Sequence, residues 1–376
     1  MRYIKWLNIA LVCLLLASCI PSHDIERLGV INSRGVDLGE ENIYETTLAI
    51  YQFEGESKDT AKIVAGKGKS IKGALKDANN ETNFMLAPGK IQLELYGRKA
   101  AEYGILPFIE TLYRDANLPN TSYLAVSDGD AKDIIRIQEK DISMNIGKFL
   151  HGLIEENSTP NRFPRVMLPN FIRDFYDIGV DPILPLFKLN KDVPKLSAIA
   201  VMQDDKMVGE ISIDNAILLN MIRKSVRAKW LEVSLPMEPF EKFLEKDTIV
   251  QQRRDTLHTA YNILRGKSNT KYVGAMKFET EVQLDLELVE ISEKVIISPE
   301  VEKIIEKEVA KELKKKYEKL LSDLKELNAD PFGYGVIYRI NQKDGHLKNK
   351  EWREKFPNIE VDYKLNVRLV RHGTID

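Results

Sequence analysis

The last third of the chain switches its hydrophobic period twice, and this limits the fold more than any other feature of the sequence. Val282, Leu284, Leu286 and Leu288 are apolar, while Gln283, Asp285 and Glu287 between them are polar. Strict alternation gives a strand with one buried and one wet face. Ser298-Pro299 then reads as the N-cap and first-turn proline of a helix. Val301, Ile304, Ile305, Val309, Leu313, Leu320, Leu324 and Leu327 fall on one stripe. The predicted helix ends near Asn328, before Pro331, and is about 45 Å long at ~1.5 Å per residue. Its outer side carries Glu302, Lys303, Lys307, Lys311, Lys315 and Lys316, read as a solvated face, with Glu312 and Lys316 as a favourable i,i+4 pair. Tyr334–Ile340 and Val361–Val370 read as further strands. The simplest packing lays the helix across an antiparallel sheet.

Upstream, strands are expected at Leu28–Val36, Ile43–Phe53, Lys90–Tyr96 and Tyr123–Val126. Helices are expected at Ser70–Phe84 and Arg98–Ala116. Ser57–Lys69, rich in Lys and Gly, reads as a loop. Pro160, Pro164 and Pro169 make the segment from Asn157 to Pro169 extended or loop-like. Ser197–Met202 and Lys206–Ile211 read as a hairpin turning at Asp204-Asp205, and Asp214 as the N-cap of a helix running to about Ser225. With 376 residues the chain suits roughly two or three domains of ~100–200 residues each. The expectation is a multi-domain α+β fold, with three domains, mixed or antiparallel sheets and packed helices. Pro194 marks the main boundary. An N-terminal α/β domain spans 24–193, a middle domain 194–270 and a C-terminal β-α-β-β domain 271–376.

The N-terminus has its own logic. Arg2 and Lys5 precede an apolar run from Ile9 to Ala17, too short to span a bilayer but suited to a signal peptide. Leu16-Ala17-Ser18-Cys19 looks like a bacterial lipobox. Residues 1–18 are then the signal peptide, Cys19 the lipidated residue and 19–23 a tether. A thiolate is the nucleophile that forms the thioether to diacylglycerol, and two or more acyl chains give stable anchoring. An exported protein held to a membrane by lipid at Cys19 is expected. The two cysteines are Cys13 and Cys19, so the body of the chain has no disulfide and no thiolate metal site. With 55 basic against 57 acidic side chains, nucleic acid is not expected as a partner.

The motifs that suggest chemistry are incomplete. Gly68-Lys69-Ser70 resembles the tail of a phosphate-binding loop, but Ile63 stands where the motif needs its first glycine. Asp128, Asp130 and Asp133 resemble part of a calcium loop, but Lys132 stands where an oxygen ligand belongs. His23, His151, His258, His346 and His372 show no metal-ligand spacing, and no nucleophile elbow occurs. No catalytic residue, metal or cofactor is expected, and the sequence assigns no ligand-binding residue.

Several spaced motifs, taken in order, carry a resemblance. They are Gly35-Val36-Asp37; Gly68-Lys69-Ser70-Ile71-Lys72-Gly73-Ala74; Gly97, Ala101, Gly104-Ile105, Glu110 and Arg114; and Gly129-Asp130-Ala131. Farther on come the hairpin from Ile199 to Gly209, Asp330-Pro331-Phe332-Gly333-Tyr334-Gly335, and Trp352 with Phe356. Together with the lipobox they resemble the Ger(x)C spore germination lipoproteins, the C subunits of nutrient germinant receptors. Glu110 departs from the family's Asp, and Ala200 and Met207 depart from its hairpin. The resemblance implies a non-catalytic, three-domain α/β lipoprotein with palmitate on its anchor. It implies a place on the outer face of the spore inner membrane beside integral-membrane A and B subunits, and a part in nutrient-triggered germination. The alternative is a solute-binding lipoprotein of an ABC importer, which predicts two similar lobes with parallel sheets and a cleft between them.

Overall fold

The computed structural model of the chain describes residues 28–51, 61–114, 121–137, 145–158, 163–191, 193–245 and 255–372. Cys19, the residues ahead of it, the tether, His23, Pro160 and Gly373, where the resemblance places the end of the last strand, lie outside the described residues.

The first sheet starts with β1 (Leu28–Leu38) and β2 (Tyr44–Tyr51), paired antiparallel. β3 (Ala61–Gly68) pairs with β2, so residues 61–68 of the stretch expected as a loop are a strand. Close approach explains this. A Cβ on Gly66 would lie 2.3 Å from the backbone of α1 (Ile71–Asn80), so the glycines let that helix lie flush on β3. β4 (Met85–Ala87) pairs with the start of β1. On the other side of β1 come β5 (Leu93–Gly97), β6 (Tyr123–Ser127) and β7 (Ile183–Asn190), each parallel to its neighbour. β5 and β6 are buried throughout, as parallel strands covered on both faces should be. β8 (Val193–Gln203) and β9 (Lys206–Ser212) add antiparallel, giving the order β3-β2-β1-β5-β6-β7-β8-β9.

The crossovers run through α2 (Arg98–Tyr103) and α3 (Leu106–Arg114), then α4 (Ala131–Ile135), α5 (Ile146–Ser158) and α6 (Leu168–Tyr176). The single helix expected from Arg98 is broken into α2 and α3. Gly104 has φ +132°, a conformation glycine adopts without steric cost. The turn at Asp204-Asp205 then caps the second piece: Ile105 N donates to the Asp205 carbonyl at 3.0 Å, and Leu106 N to its carboxylate at 3.0 Å.

The second sheet has the order β10-β11-β12-β13, from β10 (Val226–Pro236), β11 (Thr256–Gly274), β12 (Lys277–Ile291) and β13 (Glu360–His372). α7 (Ala216–Arg223) leads into it, and Asp214 lies in a preceding 3-10 turn instead of capping the helix. The period switch read from the sequence is real. β12 alternates buried and half-buried residues from Phe278 to Leu288, and α8 (Pro299–Glu326) follows, with Ser298 Oγ accepting from Val301 N. Val301, Ile305, Val309, Leu313, Leu320 and Leu324 are buried, joined on the same side by Tyr317. On the wet side Glu312 pairs with Lys315 at 2.7 Å, whereas Lys316 reaches the Glu232 carbonyl at 3.2 Å.

Two expectations for this region are corrected. β12 and β13 are parallel, because the chain returns between them through α8, α9 (Tyr334–Ile340) and α10 (Asn349–Lys355); the sheet is mixed. Tyr334–Ile340, expected as a strand, is the helix α9. Its aromatic and β-branched residues favour a strand locally, but the preceding turn decides: Gly333 is left-handed at φ +82°, and the Asp330 carboxylate holds the amides of Gly333 and Gly335.

Pro194 lies inside β8 and residue 270 inside β11, so both internal boundaries fall within strands. One apolar core is continuous through both sheets, and a smaller cluster with Leu48, Ile50, Val64 and Ala78 lies under β1–β3.

Candidate functional site

The scattered motifs converge on two buried carboxylates. The first, Asp37, closes β1 at the carboxyl end of the parallel strands and is 4% exposed. It accepts from Ala131 N at 2.6 Å and from Lys132 N at 2.9 Å, the opening amides of α4. A Cβ on Gly97, at the end of β5, would lie 2.1 Å from Asp37 Oδ1. Three motifs far apart in sequence, Gly35-x-Asp37, Gly97 and Gly129-Asp130-Ala131, thus meet at one point. Burial pushes the Asp37 carboxyl up to about 6, and the two amide donors offset only part of that rise. Ion pairs ring it: Arg98 binds Asp128 and, at 2.6 Å, Glu210; Lys188 reaches Glu210 at 2.7 Å; Lys132 reaches Asp130 at 2.9 Å. Open α/β sheets commonly bind ligands at the carboxyl ends of their strands. Here the chain's own carboxylate sits on the helix amides.

The second carboxylate, Asp330, is fully buried where the two sheets' layers meet. Oδ1 accepts from Gly333 N at 2.9 Å, and Oδ2 accepts from Gly335 N at 2.9 Å and Trp352 Nε1 at 3.2 Å. The main chain of Asp330 pairs with Asp181, just before β7: Asp181 N donates to the Asp330 carbonyl at 2.9 Å, and Asp330 N donates to Asp181 Oδ2 at 2.6 Å. Arg353 on α10 forks onto Asp181 and reaches Asp204 at 3.2 Å. Gly335 abuts Gly179: a Cβ on Gly335 would lie 2.5 Å from Gly179 Cα and 2.6 Å from the Trp352 ring. Burial pushes the Asp330 carboxyl up to about 7; the amides of Gly335, Tyr334 and Gly333 pull it down, while Asp181 pushes it up. Arg353 supplies the positive charge that makes two neighbouring buried carboxylates tolerable.

The other residues singled out from the sequence lie apart. Ser70 Oγ accepts from Gly73 N at 3.1 Å and caps α1. Glu110 and Arg114 form an exposed i,i+4 pair at 3.4 Å. His151 stacks edge-on to Tyr123 and lies 3.7 Å from Glu155, while His258 Nδ1 lies 3.1 Å from Ser234 Oγ. Among the described residues no group of three or more His, Cys, Asp or Glu is arranged to hold a metal, and no helix is long and apolar enough to cross a membrane. The sequence did not reveal Asp181 as the partner of Asp330, nor Arg353 and Asp204 as the groups joined to Asp181. Asp181-Pro182 ahead of the apolar Ile183-Leu184 is the one local signal, an acidic residue at the mouth of a buried strand.

The comparisons fit this arrangement. Residues 21–189 match the family model "Spore germination protein N-terminal domain", and residues 197–373 match "Spore germination B3/ GerAC like, C-terminal". The matches define a class: spore germination proteins of α+β fold built from an N-terminal and a C-terminal part. The chain belongs to the Ger(x)C family of spore germination proteins. It is similar to "Spore germination protein GerQC" of Bacillus cereus, 21% identical over 99% of both chains. It is also similar to "Putative spore germination protein YfkR" of Bacillus subtilis (strain 168), 23% identical over 97% of this chain and 95% of that one. The crystal structure of the GerBC protein shares the fold at TM-score 0.52 and 16% identity, covering 92% of this chain and 100% of that one.

Proposed function

We propose that the chain is the lipid-anchored C subunit of a nutrient germinant receptor. It acts as a non-catalytic scaffold on the outer face of the spore inner membrane, beside the integral-membrane A and B subunits. The observation that carries this reading is the Asp330 junction. The family's Asp-x-x-Gly-x-Gly and Trp-x-x-x-Phe motifs serve to join the two parts of the chain, and Asp330 is saturated by the chain's own donors. What such motifs preserve is the orientation of one outer surface relative to another, which is what a scaffold supplies. The lipobox supports the anchor, with Cys19 as the acylated residue and residues 1–18 removed. The solute-binding alternative is not favoured: it calls for two similar lobes, whereas the four-stranded mixed sheet spanned by α8 is unlike the first sheet.

Cys19→Ala should leave the chain unprocessed or released from the membrane. Spores lacking the gene should lose their response to the cognate nutrient while still germinating with triggers that bypass receptors. Mass spectrometry of the mature N-terminus and germination assays read both; an unmodified peptide beginning elsewhere than residue 19, or a null mutant with normal nutrient response, refutes the reading.

A further inference from the structure

A second surface is built at the outer edge of the C-terminal sheet, far in sequence from either buried carboxylate. Trp230 is 51% exposed and sits on the edge strand β10 at φ +66°. Its strand slips register between Ala228 and Leu231, so the indole stands on a bulge. A bulky side chain at positive φ is a true outlier, and such outliers collect at binding and switch regions. The indole forms the wall shared by two grooves, one lined by Asp214 and Phe163, the other by Glu232, His258 and Glu290.

The second groove follows from strand register. Glu232 on β10 pairs with Ala260 on β11, and Ala260 pairs with Glu290 on β12. Cross-strand partners share a face, so two exposed carboxylates stand either side of a methyl group, with their backbones about 10 Å apart at ordinary strand spacing. Ala260 is the low floor, the glutamates are walls, and Trp230 closes one end. Asp214, Glu232 and Glu290 are the carboxylates that line the two grooves, and all three are exposed. An aromatic face between carboxylates recognises a guanidinium or ammonium, by stacking and by charge together.

We propose that this notch docks a basic segment of a partner protein, with an arginine or lysine side chain lying over Ala260 against the Trp230 ring. The inference rests on the reading of the chain as a receptor subunit and adds where a partner engages it. A phospholipid surface is the competing occupant of an exposed tryptophan, but three carboxylates repel an anionic bilayer.

The test is a fluorescence titration of the full chain in detergent with acetyl-Gly-Arg-Gly-Arg-Gly-amide. The glutamate counterpart of the peptide and phosphatidylglycerol vesicles serve as the other arms. The arginine peptide should change tryptophan emission saturably, and salt should weaken the effect. Glu232→Gln with Glu290→Gln should weaken binding roughly tenfold, removing two charge contacts to a cation. Trp230→Ala should abolish the signal and Trp230→Phe should retain binding, read by calorimetry. No saturable change, equal binding to the double glutamine variant, or an equal response to the vesicles overturns the proposal. In spores, Trp230→Ala at normal protein level should impair the nutrient response. If a null mutant loses that response and Trp230→Ala does not, the docking site fails and the receptor role stands. If the null mutant responds normally, the receptor role itself fails.

Discussion

Asp37 and Asp330 are one device used for two ends. Each is a buried carboxylate in a space cleared by a glycine, satisfied by main-chain amides, and pushed well above the ordinary aspartate range. Asp37 works inside one layer: it ties the end of β1 to the start of α4, with Gly97 making room. Asp330 works between layers. Its side chain orders the turn into α9 and holds Trp352, while its main chain and Asp181 lock together across 149 residues of sequence. The difference lies in what faces the carboxyl. Asp37 looks at amides and a rim of exposed ion pairs; Asp330 sits beside a second buried carboxylate that Arg353 neutralises. The same local chemistry therefore positions a helix in one place and welds two parts of a chain in the other.

Truncation should break the comparison most visibly. Asp330→Ala leaves three buried donors without acceptors, at ~1–3 kcal/mol each, so a loss of about 4 kcal/mol or more is expected. Asp37→Ala orphans two amides nearer the surface and should cost about 2 kcal/mol. Urea unfolding measures both; equal losses would show that the junction holds nothing the strand end does not.

Filling the cleared spaces is the second way to separate the two. On Gly335 a Cβ meets Gly179 Cα and the Trp352 ring, neither of which swings away. Gly335→Ala should cost about 3 kcal/mol, the upper end of the usual overpacking range. On Gly97 the close contact is the Asp37 carboxylate, the end of a side chain. Gly97→Ala should cost about 1–2 kcal/mol, and Asp37→Ala in the same chain should relieve part of it. Additive losses would mean that Gly97 clears space for something other than Asp37.

How much of this was legible in the sequence depends on what each residue answers to. The alternation at Val282–Leu288 and the stripe from Val301 to Leu327 report burial directly, and the strand and long helix were read from them. The motif residues were read as positions in a pattern, but Gly35-x-Asp37 and Gly129-Asp130-Ala131 gave no sign that they touch. Their partners lie more than 90 residues apart, beyond any local periodicity. Tyr334–Ile340 misled because its residues suit a strand, while its conformation is set by a carboxylate ahead of it. Arg353 drew no reading from the sequence, although it lies between the motif residues Trp352 and Phe356. Its role is fixed by Asp181, 172 residues upstream, which no pattern near either residue announces.

The finest distinction is in pH. Both carboxyls are held above the ~3.9 typical of an unfolded chain. The folded state therefore binds these protons more tightly, and stability falls as pH rises from about 4 to the folded value, then levels off. For Asp37 the fall ends near 6, and for Asp330 near 7. Between pH 6 and 7 the stability advantage of the native chain over Asp330→Asn should shrink by about 1 kcal/mol, while its advantage over Asp37→Asn shrinks by less than half as much. Unfolding free energies at half-unit pH steps test this; identical profiles would erase the distinction between the two sites.

The parallel pairing of β12 with β13 also dictates a timetable. β12 gains its second neighbour only when residues 360–372 have emerged from the ribosome, and Arg353 meets Asp181 only shortly before that. Pairings this remote in sequence make for slow folding, because a long loop must close before any contact rewards it. The second sheet is thus completed by β13, so the polypeptide cannot commit to its finished form until residues 360–372 have been made.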